Sequence, residues 1–164
     1  MYKRILVPVD GSDTSTRALV AALQLARESE GSVRIVHVIE ELAQIIAYDP
    51  YGGYPGDLAK VMRDSGQKVL ADALAVAQSA GVPADEHLIE AGGKRLAEAV
   101  LQEAAGYQAD LIVVGTHGRR GLGRVLLGSG AEQIVRQAPL PVLVIRSAAP
   151  QASSSHRSPA TAQA

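Results

Sequence analysis

The chain contains no cysteine, no tryptophan and no phenylalanine, and its only aromatic residues are five tyrosines. Without thiols there can be no disulfide, no thiolate nucleophile and no cysteine-based zinc site. Without large aromatic rings the interior has to be built from Val, Leu, Ile and Ala, which suits closely packed α/β layers. The chain also lacks a charge surplus. Its 16 Lys and Arg face 17 Asp and Glu, a formal charge of −1, so nothing draws it in bulk to nucleic-acid phosphates or anionic membranes. Neither is expected as a partner. No apolar run approaches the roughly 20 residues that cross a bilayer. No apolar stretch and cleavage site follow Met1, so a cytoplasmic location is the expectation.

What is present is 164 residues, 47% of them hydrophobic and 20% charged, enough for one domain. Ile5-Leu6-Val7-Pro8-Val9 is an apolar, β-branched run and predicts a buried strand. Asp10-Gly11-Ser12-Asp13 supplies turn and helix-cap chemistry. Ala18, Leu19, Ala22, Leu25 and Ala26 then recur at helical spacing, with Gly31 expected as the stop. Val33 to Ile39 predicts a second strand. Residues 40–56 break the pattern, ending in a loop that holds Tyr48, Tyr51 and Tyr54. A long helix over Asp57 to Ala80, a short strand over Glu86 to Glu90 and a helix over Leu96 to Ala105 follow. Asp110 to Val114 is another apolar strand, a glycine-rich loop leads to a helix over Ser129 to Gln137, and Pro141 to Ile145 is the last strand. Strands alternating with helices argue for a parallel sheet covered on both faces. Residues 147–164 turn to Ser, Ala, Pro and Gln without apolar periodicity and are expected to be a disordered tail.

The segment with the most chemical content is Gly115-Thr116-His117-Gly118, nine residues, then Gly128-Ser129. It joins a strand to a helix, at the carboxyl end of the sheet where doubly wound folds bind ligands. Glycine permits positive φ and lets a ligand approach the main chain. Exposed amides and the positive end of a helix dipole together favour an anion. Ser129 and Glu132 have capping-box spacing, so Ser129 is expected to cap the helix, with the N–H groups of Gly128, Ser129 and Gly130 facing a phosphate. The loop alone is equally consistent with simple helix punctuation. Neither the P-loop nor the dinucleotide fingerprint fits, since Gly93-Lys94 is followed by Arg95 and the flanking glycine pairs lack a third.

The spacing Gly-x2-Gly-x9-Gly-Ser, complete in Gly115, Gly118, Gly128 and Ser129, resembles the signature of ATP-binding members of the universal stress protein family. Ile5 to Ser12, Val36-His37-Val38-Ile39, Val113 to Gly118 and Pro141 to Arg146 resemble that family in the same order. The expected fold is a single doubly wound α/β domain over residues 1–146. It is expected to hold a five-stranded parallel sheet in the order 3-2-1-4-5, with helices on both faces. The resemblance implies an adenine and ribose pocket lined by Pro8, Val9, Asp10 and Val38, with backbone contacts from Val114 and Gly115. It implies phosphates along Gly118, Gly128, Ser129 and Gly130. Family members usually carry a β-branched residue where Gly130 stands. It further implies a homodimer through the last strand.

Other residues carry competing readings. Asp10 is either a ribose, adenine or Mg²⁺ ligand or a turn-forming residue ahead of a helix; the resemblance favours the site. His117 is counted with the binding residues and given no catalytic role, and His37 is read as structural. Arg119, Arg120 and Arg124 read first as a solvated basic loop. The functional expectation is an ATP-binding stress-response or regulatory protein with at most slow hydrolysis. The alternatives are a nucleotide-free dimeric interaction module and an ATPase or nucleotidyltransferase. Against the transferase, Asp10-Gly11-Ser12-Asp13 stands where a His-x-Gly-His motif would be needed.

Overall fold

Nine elements alternate among the described residues. They are β1 (Arg4–Pro8), α1 (Asp13–Ser29), β2 (Ser32–Ile39), α2 (Pro55–Ser79), β3 (Ala84–Glu90), α3 (Leu96–Tyr107), β4 (Leu111–Gly115), α4 (Ser129–Gln137) and β5 (Val142–Ile145). The computed structural model describes residues 1–39, 55–116 and 128–146, with backbone alone at 55–57. The tyrosine loop, His117, Gly118, the three loop arginines and the tail therefore lie outside the described residues. The strands form one parallel sheet in the order β3-β2-β1-β4-β5, as expected.

The strand residues sort by alternation. Ile5, Val7, Val33, Ile35, Leu111 and Val113 face α1 and α2 through Leu19, Ala22, Leu70 and Ala73. Leu6, Val36, Ile112 and Val114 face α3 and α4 through Ala97, Val100, Ala104 and Ile134. Each buried Val, Leu or Ile contributes about 1.5–3 kcal/mol of transfer free energy, and the many alanines let helices lie close on the strands. β1 and β4 are covered on both sides, which explains their unbroken apolar runs. The edge strand β3 is apolar only at half-buried Leu88 and Ile89, beyond its first residue Ala84.

Two helix ends differ from expectation. α1 closes at Glu30, which takes the left-handed conformation (φ 51°, ψ 42°), not at Gly31. Gly31 is needed for a different reason: a Cβ there would stand 2.7 Å from the Lys3 carbonyl oxygen. α3 likewise closes on left-handed Gln108.

At the amino edge of the sheet, Arg34 on β2 bonds Asp85 on β3 and Glu103 on α3. Its hydrogen bond to Asp85, reinforced by Glu103, raises the guanidinium pKa despite some burial. Arg4 and Arg34 both stack on the Tyr107 ring, at 4.5 and 4.3 Å from its centroid, and the Tyr107 hydroxyl bonds Ser32 Oγ at 2.9 Å. This cluster ties three strands to α3. A cavity of about 430 Å³ beside it, lined by Arg4, Ser32, Asp85 and Tyr107 among others, is at the opposite end of the sheet from the carboxyl ends of β1 and β4. Its one acidic lining group, Asp85, is already paired.

Candidate functional site at the carboxyl edge

β1 and β4 are neighbours in the sheet, with Ile5 opposite Leu111 and Leu6 opposite Ile112. From them the chain runs in opposite directions, through α1 to β2 and through α4 to β5. That divergence opens a crevice beyond the carboxyl ends of the two strands.

The β1 side is a hydrogen-bonded turn. Asp10 Oδ1 accepts the Ser12 N–H at 3.0 Å, and Gly11 between them has φ 79°. Ser12 caps α1, its Oγ accepting the Ser15 N–H at 3.2 Å while Ser15 Oγ donates to the Ser12 carbonyl at 2.9 Å. Asp10 thus fulfils the turn-forming role, and one of its oxygens is oriented by it. It is half-buried, just beyond the carboxyl end of β1.

The β4 side closes against the first. A Cβ at Gly115 would stand 2.8 Å from the Thr14 carbonyl oxygen, so glycine here is required by contact with the first turn of α1. The Thr116 N–H donates to the Ile145 carbonyl at 2.9 Å, and the Thr116 carbonyl accepts the Gly128 N–H at 2.5 Å. Thr116 and Gly128, far apart in the chain, are therefore adjacent in space.

Three expectations about the loop need correction. First, Gly128, with φ −57° and ψ 145°, is the cap of α4, and Ser129 is its first helical residue. The Gly128 carbonyl accepts the first helical bond, from the Glu132 N–H at 2.8 Å, which places the cap one residue before the capping-box reading. Second, the Gly128 N–H is committed to Thr116 and does not face an anion. The first-turn amides of Ser129 and Gly130 have no carbonyl partner within their own helix. Third, Gly115, Gly128 and Gly130 all have negative φ. At Gly115 and Gly130 it is the missing Cβ that matters.

The remaining predicted residues that are described lie at the same edge. Pro8 and Val38 are half-buried, and Val114 is buried against α3 and α4. Val9 is a core residue: its side chain is 6% exposed, its N–H donates to Val36 at 2.8 Å, and its carbonyl is bonded to His37 Nδ1 at 2.7 Å. It can line the pocket only through its backbone. His37 is wedged beneath α2, where a Cβ at Gly66 would lie 2.8 Å from its Cδ2, a structural position. Among the described residues no three His, Asp or Glu side chains group to hold a metal. Further along the edge Arg63 bonds Glu90 at 2.6 Å, and this hydrogen bond holds the Glu90 carboxyl below its usual range. Thr14, Leu96 and Thr116 shape the crevice yet carry no local sequence signal, because their contacts join separate elements.

Residues 1–146 match the model of the universal stress protein family. A universal stress protein of Thermus aquaticus is 38% identical over 151 residues, covering 89% of this chain and all of that one. A solved member from Burkholderia pseudomallei is 35% identical with a TM-score of 0.71, covering 88% of this chain and 96% of that chain. The Archaeoglobus fulgidus protein solved in complex with dAMP is 26% identical with a TM-score of 0.63, over 88% and 98% of the two chains. By sequence over residues 1–146 and by the fold of its sheet, the chain belongs to the universal stress protein family.

Proposed function

We propose that this chain is a nucleotide-binding stress protein that holds ATP in the crevice between β1 and β4, acting as a binding or regulatory module in the cytoplasm. The observation that carries the reading is the meeting of Gly115 with Thr14, together with the bond of the Gly128 N–H to the Thr116 carbonyl, which bring the β1 turn and the start of α4 to one place. An anion there meets the first-turn amides of Ser129 and Gly130 and the positive end of the α4 dipole. The Ser129 side chain, exposed at this point, adds a hydroxyl donor. Asp10, Pro8 and Val38, with the backbone of Val9, Val114 and Gly115, supply the adenine and ribose side. His117, Gly118 and Gly128 complete the loop around the phosphates. The dAMP complex of the Archaeoglobus relative supports an adenine nucleotide as the ligand class. A magnesium ion would enter with the nucleotide and be held chiefly by its phosphates, with Asp10 alongside.

Hydrolysis is expected to be slow. Backbone amides that bind ground-state phosphates stabilise substrate and transition state alike and do not by themselves lower a barrier. The protein is also expected to be a homodimer through β5, an edge strand whose Leu143 is 36% exposed. Such an edge invites pairing with a second strand.

The test is calorimetric titration with ATP, ADP, AMP and adenosine, beside the Gly128→Val variant. Its backbone angles accept a β-branched residue, so the variant should fold and lose ATP affinity. Wild-type protein that releases no heat with any adenine nucleotide would end this reading and leave only the architecture.

A further inference from the structure

α3 and α4 run back along the same face of the sheet, and both begin at its carboxyl edge. Their first turns touch at one place. A Cβ built at Gly130 would stand 3.0 Å from Leu96 Cδ2, with Leu96 Cδ1 and Cγ each at 3.9 Å. Leu96 is the first residue of α3, and it packs, half-buried, against the core beneath α3 and α4, as do Val38 and Ile89. No side-chain cap fastens that turn. The cap residue Arg95 makes no side-chain hydrogen bond to the helix, although a capping side chain would ordinarily satisfy one of the first amides. The start of α3 is therefore held by burial of its apolar side chains, Ala97 and Val100 fully and Leu96 in part, and a Leu96 methyl group stands against the point at which any side chain at position 130 would begin.

We propose that Leu96 is a positioning residue for the phosphate-holding turn, and that it and Gly130 form a matched pair. With glycine at 130, the first turn of α4 settles onto the Leu96 methyl, and this contact fixes where the Ser129 and Gly130 amides point. A larger residue at 130 pushes the two helix starts apart, and a smaller one at 96 lets the α4 turn drift. Either change moves the amides relative to a bound phosphate while leaving the Pro8 and Asp10 side of the crevice untouched. The inference rests on the reading that phosphates lie at the start of α4.

A double-mutant cycle of Leu96→Ala, Gly130→Val and the two combined tests it, with ATP and adenosine titrated into each protein. Each single change should weaken ATP about tenfold, within the range of coupled neighbours. Adenosine, which has no phosphate, should bind all four proteins alike. The double variant should regain most of the lost ATP affinity, as the larger side chain at position 130 fills the space left by truncating Leu96. Equal losses for ATP and adenosine, or additive losses in the double variant, overturn the proposal while leaving nucleotide binding intact. Wild-type protein that binds neither ligand overturns the functional reading itself, and this proposal with it. Gly130→Ala replaces Gly130→Val in the cycle if the latter fails to fold.

Discussion

The carbonyl of Thr14 occupies the place where a side chain at Gly115 would start: a Cβ there would lie 2.8 Å from the oxygen and 2.9 Å from its carbon. The obstacle is backbone in the first turn of a helix whose cap is fixed by Ser12 and Ser15, so it cannot swing aside as a side chain would. Gly115→Ala should therefore cost about 1–3 kcal/mol, the usual range for overpacking. Thermal unfolding should show a drop of about 2–4 °C per kcal/mol. Because the same contact joins the two walls of the crevice, ATP affinity should fall as well. An unchanged unfolding midpoint would mean that the contact yields easily.

Two glycines within helices make a sharper comparison. In an exposed helix interior, replacing Gly with Ala gains about 0.5–1 kcal/mol. Gly106 on α3 has nothing within 4 Å of its absent Cβ, so Gly106→Ala should stabilise by roughly that amount. Gly66 on α2 has His37 Cδ2 and Leu88 Cδ1 each 2.8 Å from that point, and the His37 ring is held by its bond to the Val9 carbonyl. There the overpacking cost of about 1–3 kcal/mol exceeds the propensity gain, and Gly66→Ala should be net destabilising. Chemical denaturation of both variants measures the difference, and like signs would refute the packing argument.

These contrasts mark where the sequence can and cannot be read. The parallel sheet follows from the alternation of elements and apolar runs, because β1 and β4 are buried on both faces and show it as Val, Ile and Leu in close succession, whereas the strand order is what the family resemblance implies. β3 is read two residues short, from Glu86. Its start at Ala84 is set by pairing with Val33, a partner far along the chain. The same limit explains the helix ends. Ser129-x-x-Glu132 is a sound local cap pattern, yet the cap falls on Gly128, whose N–H is drawn to Thr116 across the loop. Gly31 has the composition of a helix stop, but the stop is Glu30, and Gly31 is glycine because Lys3 passes beside it. Motif spacing thus locates the crevice, while the assignment of individual amides depends on contacts between elements.

The β5 edge leads to a prediction about assembly. Leu143 projects from an edge strand with a third of its surface exposed, and a buried charge without a partner is costly. Leu143→Arg should convert a dimer into a monomer at micromolar concentration, read by light scattering, with the far-ultraviolet circular dichroism unchanged. A wild-type protein that already scatters as a monomer would dispose of the β5 interface.

Ser12 and Ser129 stand at comparable places, each at the start of a helix that opens onto the crevice, yet they do different work. Ser12 is the cap of α1 and its Oγ accepts the Ser15 N–H, so Ser12→Ala should cost about 1 kcal/mol of stability. Ser129 is exposed and already inside α4, whose cap is Gly128, so Ser129→Ala should change stability by no more than about 0.5 kcal/mol. If its hydroxyl donates to a phosphate, the loss of one charge-assisted hydrogen bond should weaken ATP by about tenfold or more. Thermal unfolding and calorimetry on the two variants separate the roles. A destabilised Ser129→Ala protein with undiminished ATP affinity would return Ser129 to the capping role and move the phosphates away from the start of α4.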